Sequence, residues 1–183
     1  MKNTIKLSAV LLSVLFITGC GTTNTIQDKT PINDSSQNPG TAAKAPKTGV
    51  NGINPTVNVP EGWKPVEGSI LKIQYLKGTT SFMAKPESFN TTDLDEVTAQ
   101  AVSMFKDAFT NVETLGATEK ITVDGKDARK LLFTAEVAGV KMKYEYVYVL
   151  VDNQIYAITF GGSASDFDDL QADYRAILDG IKF

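Results

Sequence analysis

The sequence predicts an α+β domain in which helices flank an antiparallel β-sheet, preceded by a removable leader and a disordered tether. Three observations lead there. Apolar residues recur at three- and four-residue spacing over 93–112 and again over 165–179, the period of a helix with one buried face. The β-rich runs over 120–160 are separated by residue pairs that favour tight turns, so consecutive strands pair as an antiparallel meander. Residues 1–54 hold one apolar run near the start and then almost no large apolar side chain.

The chain opens with Lys2 and Lys6, followed over 7–17 by an apolar run broken only by Ser8 and Ser13, the layout of a secretory signal. That run is shorter than the roughly 20 apolar residues a bilayer-spanning helix needs. Ile17-Thr18-Gly19-Cys20 then resembles the bacterial lipobox, in which the cysteine receives diacylglycerol. An ordinary signal with an incidental cysteine, or a short buried helix, explains less, because the thiol stands where lipidation requires one. A single acyl chain binds a membrane at only roughly 10⁴ M⁻¹, whereas the two chains of a diacylglyceryl-Cys20 anchor hold stably. The boundaries expected are 1–19 for the signal peptide, 20–54 for the lipidated residue and linker, and 55–183 for the domain.

From Gly21 to Asn54 the composition is Thr, Asn, Ser, Gln, Pro, Gly and Lys, which cannot offset the entropy of ordering. A linker of that length spans roughly 30–35 Å as a random coil. The 183 residues, 42% of them hydrophobic, otherwise suffice for one domain. Cys20 is the only cysteine, so stability must come from the core rather than from a disulfide. Removing Lys2 and Lys6 with the leader takes the formal charge from −3 to −5. Mild acidity argues against nucleic acid as a partner and against electrostatic docking on anionic lipid.

Within the domain, Thr56-Val57-Asn58-Val59 reads as a short strand closed by the turn Pro60-Glu61-Gly62-Trp63. Residues 69–76 and 80–84 read as a hairpin around Lys77-Gly78. Over 93–112, Leu94, Val97, Ala101, Met104, Phe105, Ala108 and Phe109 share one helical face, and Asp93 with Glu96, or Thr92 with Asp95, supplies the start signal. Strands over 120–123, 130–137, 140–151 and 154–160 follow, divided by Asp124-Gly125, Ala138-Gly139 and Asp152-Asn153. In the third of these, Met142, Tyr144, Tyr146, Tyr148 and Leu150 alternate with Lys141, Lys143, Glu145, Val147 and Val149, so both faces are covered at its far end. A last helix over 165–179 carries Phe167, Leu170, Tyr174, Ile177 and Leu178 on one stripe, capped by Ser165 with Asp168 and stopped by Gly180, with Ile181 and Phe183 folding back.

The turn Asn58-Val59-Pro60-Glu61-Gly62-Trp63, the hairpin, long helix and meander, the strand Gln154-Ile155-Tyr156-Ala157-Ile158-Thr159-Phe160 and the close Ile177-Leu178-Asp179-Gly180-Ile181-Lys182-Phe183 together resemble the PsbP-like family over 55–183. That family includes the oxygen-evolving accessory protein of photosynthetic membranes and many bacterial lipoproteins. The resemblance implies an antiparallel sheet between helices and a binding or assembly role. It transfers no functional residue, since fold does not fix function.

Most catalytic chemistry is excluded on composition. With no His, and the one Cys lipidated, Ser–His and Cys–His pairs and the usual zinc sites cannot be built, and nothing calls for a metal or cofactor. Ser69-Ile70-Leu71-Lys72 matches S-x-x-K and Lys47-Thr48-Gly49 matches K-T-G, but residues three apart in a strand face opposite ways and the two motifs come in the wrong order. Asp166, Asp168 and Asp169, and Asp93, Asp95 and Glu96, are read as helix-start acids rather than as a Ca²⁺ site. Gly161-Gly162 lacks the spacing of a phosphate loop and reads as a flexible strand exit.

The candidate ligand or partner surface is Trp63, Tyr144 and Tyr146, each also explained as core: Trp63 by its turn, the tyrosines by a covering helix. The function expected is a non-enzymatic envelope lipoprotein, lipid-anchored on the extracytoplasmic face of the cell membrane, binding a protein partner or a small ligand. The alternative is an assembly factor of a membrane complex with no soluble ligand. A carboxylate-based hydrolase stands third, because it needs two facing acids in a cleft. Gly21 does not resemble the Asp signal for inner-membrane retention.

Overall fold

The computed structural model describes residues 53–183. The leader, the Ile17-Thr18-Gly19-Cys20 motif and the tether as far as Gly52 lie outside the described residues. The described chain runs β1 (Lys64–Pro65), β2 (Ile73–Lys77), β3 (Thr80–Glu87), α1 (Leu94–Ala108), β4 (Thr110–Thr114), β5 (Glu119–Val123), β6 (Lys126–Val137), β7 (Val140–Val151), β8 (Gln154–Ser163), α2 (Ala164–Asp169) and α3 (Gln171–Gly180). Every strand pair is antiparallel. The strands form one sheet in the order β1-β2-β3-β8-β7-β6-β4, with β5 pairing the other half of β6. This is the antiparallel α+β architecture read from the sequence.

The meander follows from its turns. Asp124-Gly125, Ala138-Gly139 and Asp152-Asn153 all have positive φ at both residues, between 45° and 80°. That backbone matches the right-handed twist of paired strands, and Gly, Asn and Asp adopt it at least cost. Along β7 the alternation then sends Tyr146 and Tyr148 to one face and Val147, Val149 and Val151 to the other. α1 packs on β4, β6 and β7 over the tyrosine face, where the Phe105 and Phe133 rings stack at 4.5 Å. The opposite face is closed by Trp63, Phe167, Tyr174 and Ile177 around Phe82, Ile158 and Phe160. α1 starts as its sequence indicates: Asp93 accepts from the Asp95 and Glu96 amides at 2.8 and 3.1 Å.

Several expectations are corrected. Thr56–Val59 is not a strand; Thr56 alone bridges Lys182, through backbone bonds of 2.9 and 3.0 Å. Ile53 and Asn54, placed in the linker on composition, belong to the domain, since the Tyr156 hydroxyl donates to the Ile53 carbonyl and Lys72 Nζ to Asn54 Oδ1. Residues 69–72 form a bent loop and β2 starts only at Ile73. The first helix stops at Ala108 rather than Val112, because Asn111 takes φ 52° and the chain turns back along β6 as β4. The last helix is two: Leu170, at φ −103° and ψ 11°, turns its amide to the Phe167 carbonyl, closes α2 and starts α3 by accepting from the Tyr174 amide. Its cap is Ser163, which accepts from the Asp166 amide, and not Ser165.

Two glycine readings change as well. Gly161 and Gly162 are not a flexible exit but buried members of β8. A Cβ on Gly161 would sit 2.6 Å from Tyr144 Cδ1, and one on Gly162 2.5 Å from Thr80 Oγ1. Gly180 is the last residue of α3 rather than a stop after it, and a Cβ there would meet Asn58 Cβ at 3.5 Å, an ordinary contact.

Candidate functional site

The sheet is covered unevenly. On the α1 side, the register draws cross-strand rows: Gln74, Met83, Thr159 and Tyr146 in one, Leu76, Ser81, Gly161 and Tyr144 in the next. With strands about 4.8 Å apart, each row crosses four strands in roughly 14 Å. α1 lies over the β7 end of these rows and over β6. At the other end Leu76 is 40% exposed, and Gln74, Ser81, Met83 and Lys85 are half-buried. Their neighbours in sequence, Tyr75, Phe82 and Ala84, point to the far face and pack in the core there. One pair of strands thus has a sealed face and a partly open one.

Tyr144 forms the border between the covered and open halves. Its ring leans across Gly161, stacked with Phe133 at 5.1 Å and Phe109 at 5.8 Å. It is half-buried, and burial pushes its hydroxyl pKa up. Tyr146 is 9% exposed, between Phe105 at 4.7 Å and Tyr148 at 5.9 Å, and burial raises its pKa strongly. It is part of the core under α1 and reaches the open half only through its row.

Trp63 does not join the tyrosines. It lies on the opposite face, 7% exposed, edge-on to Phe82, with Nε1 donating to Asp173 Oδ2 at 2.8 Å. Lys77 Nζ reaches the same oxygen at 2.7 Å. Burial works upward on the Asp173 carboxyl, but the bonds from Lys77 and Trp63 outweigh it and hold the group below its ordinary value. Its turn therefore anchors β2 to α3, and the three residues proposed as one surface divide between two faces.

The acids also have structural partners. Asp95 is held by Arg129 at 2.6 Å, and this bond lowers its pKa. Asp168 pairs with Lys143 at 2.6 Å, while the Asp166 carboxylate accepts from the Thr79 and Ser165 hydroxyls. Among the described residues two carboxylates are deep. Glu145 is 6% exposed and burial raises its pKa, with Lys130 opposing. Glu87 has its Oε2 buried without a partner. Glu145 and Glu87 alternate with residues of opposite faces and so cannot flank one substrate. Ser69 and Lys72 also stay apart, though not for the strand reason: Ser69 bonds Gln74, and Lys72 bonds Asn54. A polar cleft of about 350 Å³ at the far corner is lined by Asn111, Glu113, Thr134, Ala135, Glu136, Gly139 and Lys141.

Sequence reasoning found Tyr144 and missed Gln74, Leu76, Ser81 and Met83. The signal was present in Thr80-Ser81-Phe82-Met83-Ala84-Lys85, where every second residue is small, polar or flexible. Such alternation marks a strand with one face outside the core.

No family model matches the sequence, and no curated protein does. Solved structures do. LpqN, involved in cell envelope biogenesis of Mycobacterium tuberculosis, superposes with a TM-score of 0.57 at 13% identity, over 73% of this chain and 86% of that one. PA94 of Pseudomonas aeruginosa, of unknown function, gives 0.49 at 12% identity over 67% and 79%. Cyanobacterial PsbP (CyanoP) from Synechocystis gives 0.48 at 12% identity over 73% and 95%. The chain shares the fold of LpqN.

Proposed function

We propose that the protein is a lipid-anchored lipoprotein of the cell envelope that performs no chemistry and docks a protein partner on the open half of its α1-side sheet face. One observation carries the docking site: β2 and β3 bury Ile73, Phe82 and Ala84 while leaving Leu76, Ser81 and Met83 half-covered beside Tyr144. A broad, shallow surface of mixed polarity suits a protein better than a small molecule, which is usually enclosed on most sides. The anchor rests on Ile17-Thr18-Gly19-Cys20. An envelope role is also that of LpqN, and it motivates the setting without naming the partner.

Two measurements test this. Labelled palmitate should enter the protein and be lost in Cys20→Ala. A photo-crosslinker at position 83, in cells carrying the full chain, should give a discrete protein adduct that the same group at exposed Thr122 of β5 does not give. Equal adducts at both positions, or none at 83, would overturn the docking face.

A further inference from the structure

The loop 67–72 carries the most exposed large apolar side chain among the described residues, Ile70, at 94%. A single exposed isoleucine is ordinary on a protein surface; this one is held in place by a defined set of bonds. Gly68 takes φ 73° and the Ser69 amide bonds the Val66 carbonyl at 3.2 Å, closing a tight turn. Ser69 Oγ then accepts from the Leu71 amide at 3.0 Å and bonds the Gln74 side chain. Ile70 therefore sits at the apex of a pinned loop that points it away from the core.

Its position on the domain is equally specific. Lys72, two residues on, donates to Asn54 at 2.7 Å, and Tyr156 holds Ile53. The loop thus lies beside the first described residues, Ile53 and Asn54. By register, Ile73 lines up across β3 and β8 with Val147 of β7. The hairpin tip at Val140, 51% exposed, is seven residues further along β7 from that row, roughly 23 Å away at the opposite end of the sheet.

We propose that Ile70 is a membrane contact: with the protein anchored at Cys20, the tip inserts into the boundary between headgroups and acyl chains and sets which end of the domain faces the bilayer. This rests on the anchored reading above. A convex one-residue apex cannot supply the roughly 1,000 Å² that a specific protein interface needs. A lipid surface requires no complementary pocket, and anchoring makes the second contact intramolecular, so a weak one is enough. A fully buried isoleucine favours the inserted state by roughly tenfold to a hundredfold. The contact is apolar, in keeping with the net negative charge of the chain, and needs no anionic lipid.

The test uses the full lipidated chain in phosphatidylcholine vesicles. Diacylglycerol occupies the one natural thiol, so Ile70→Cys and Val140→Cys each offer a single site for an environment-sensitive fluorophore. Both side chains are exposed, so neither variant disturbs the core. The probe at 70 should emit further to the blue and be quenched several-fold more by brominated lipid than the probe at 140. Equal emission and quenching at the two positions, with lipidated Cys20 confirmed by mass, overturns the contact and leaves the anchor standing. An unmodified Cys20 in the same mass measurement removes the anchor, and this contact with it.

Discussion

Gly161→Ala isolates the feature that shapes the proposed docking face. The new Cβ would lie 2.6 and 2.7 Å from Tyr144 Cδ1 and Cε1, where ordinary contact begins at 3.4 Å, so the ring must retreat by about 0.8 Å. It has little freedom, being stacked between Phe133 and Phe109. Overpacking of this kind costs about 1–3 kcal/mol. Opposing it, alanine loses less chain entropy than glycine in a strand, a gain of about 0.5–1 kcal/mol where φ is compatible, and Gly161 is not among the residues with positive φ. The net expectation is a loss of about 0.5–2 kcal/mol. In a Tyr144→Ala background the obstructing ring is gone and only the entropic gain remains, so the same substitution should stabilise. Urea denaturation followed through Trp63, the only tryptophan, gives the four midpoints of the cycle. An equal cost of Gly161→Ala in both backgrounds would refute the close approach as the reason glycine stands there.

Other predictions follow from the same geometry. Met83→Glu should abolish the adduct formed from a crosslinker at neighbouring position 81 while changing stability by less than about 0.5 kcal/mol, because the side chain is half-exposed; a large loss of stability instead would assign Met83 to the core. Glu145 has its pKa raised by burial, so the folded state binds its proton more tightly than the unfolded chain does. Its contribution to stability is therefore full below its ordinary value of 4.5 and is lost as pH rises through the higher folded value. Glu145→Gln should raise the urea midpoint at neutral pH and flatten that part of the pH profile; a lower neutral midpoint would mean the charge is satisfied after all. Asp93→Ala removes the acceptor for two amides at the start of α1 and should cost about 1 kcal/mol, read as a lower thermal midpoint. Trp63, sealed beneath α3, should resist acrylamide quenching in the native state, and strong quenching would return it to the surface.

Much of what is set locally was read from the sequence, though the Ser163 cap of α2 was missed although its partner lies three residues on. Asp124-Gly125 and Asp152-Asn153 specify themselves, because a left-handed backbone at two successive residues selects Gly, Asn and Asp, while Ala138 takes the same backbone against its preference and only Gly139 marks that turn. Most of the α1 face was legible for the same reason, although Ala108 is exposed and Thr98 is buried, and of the two caps the sequence offered, Asp93 is the one that forms. The breaks were harder. Leu170 continues the apolar stripe of a single helix, and nothing in its own propensity marks it as the joint between α2 and α3. Val112 completes the helical period yet lies in the irregular stretch of β4 between Thr110 and Glu113, because the gain from joining β6 outweighs one more turn of helix.

The sequence by itself determined the class of the domain, the meander β6-β7-β8, the two faces of β7 and the chemistry that a chain without histidine cannot perform. Only the tertiary structure decided that β3 lies beside β8, that Trp63 and Tyr144 fall on opposite faces, and that α1 stops short of β2 and β3. The division has a physical reason. Turn geometry and helical period are set by side chains a few residues apart, whereas coverage of a sheet depends on which distant strands close upon one another. Gly161 shows the limit well: its necessity comes from the Tyr144 ring on the adjoining strand, seventeen residues earlier, and no local pattern around it records that approach.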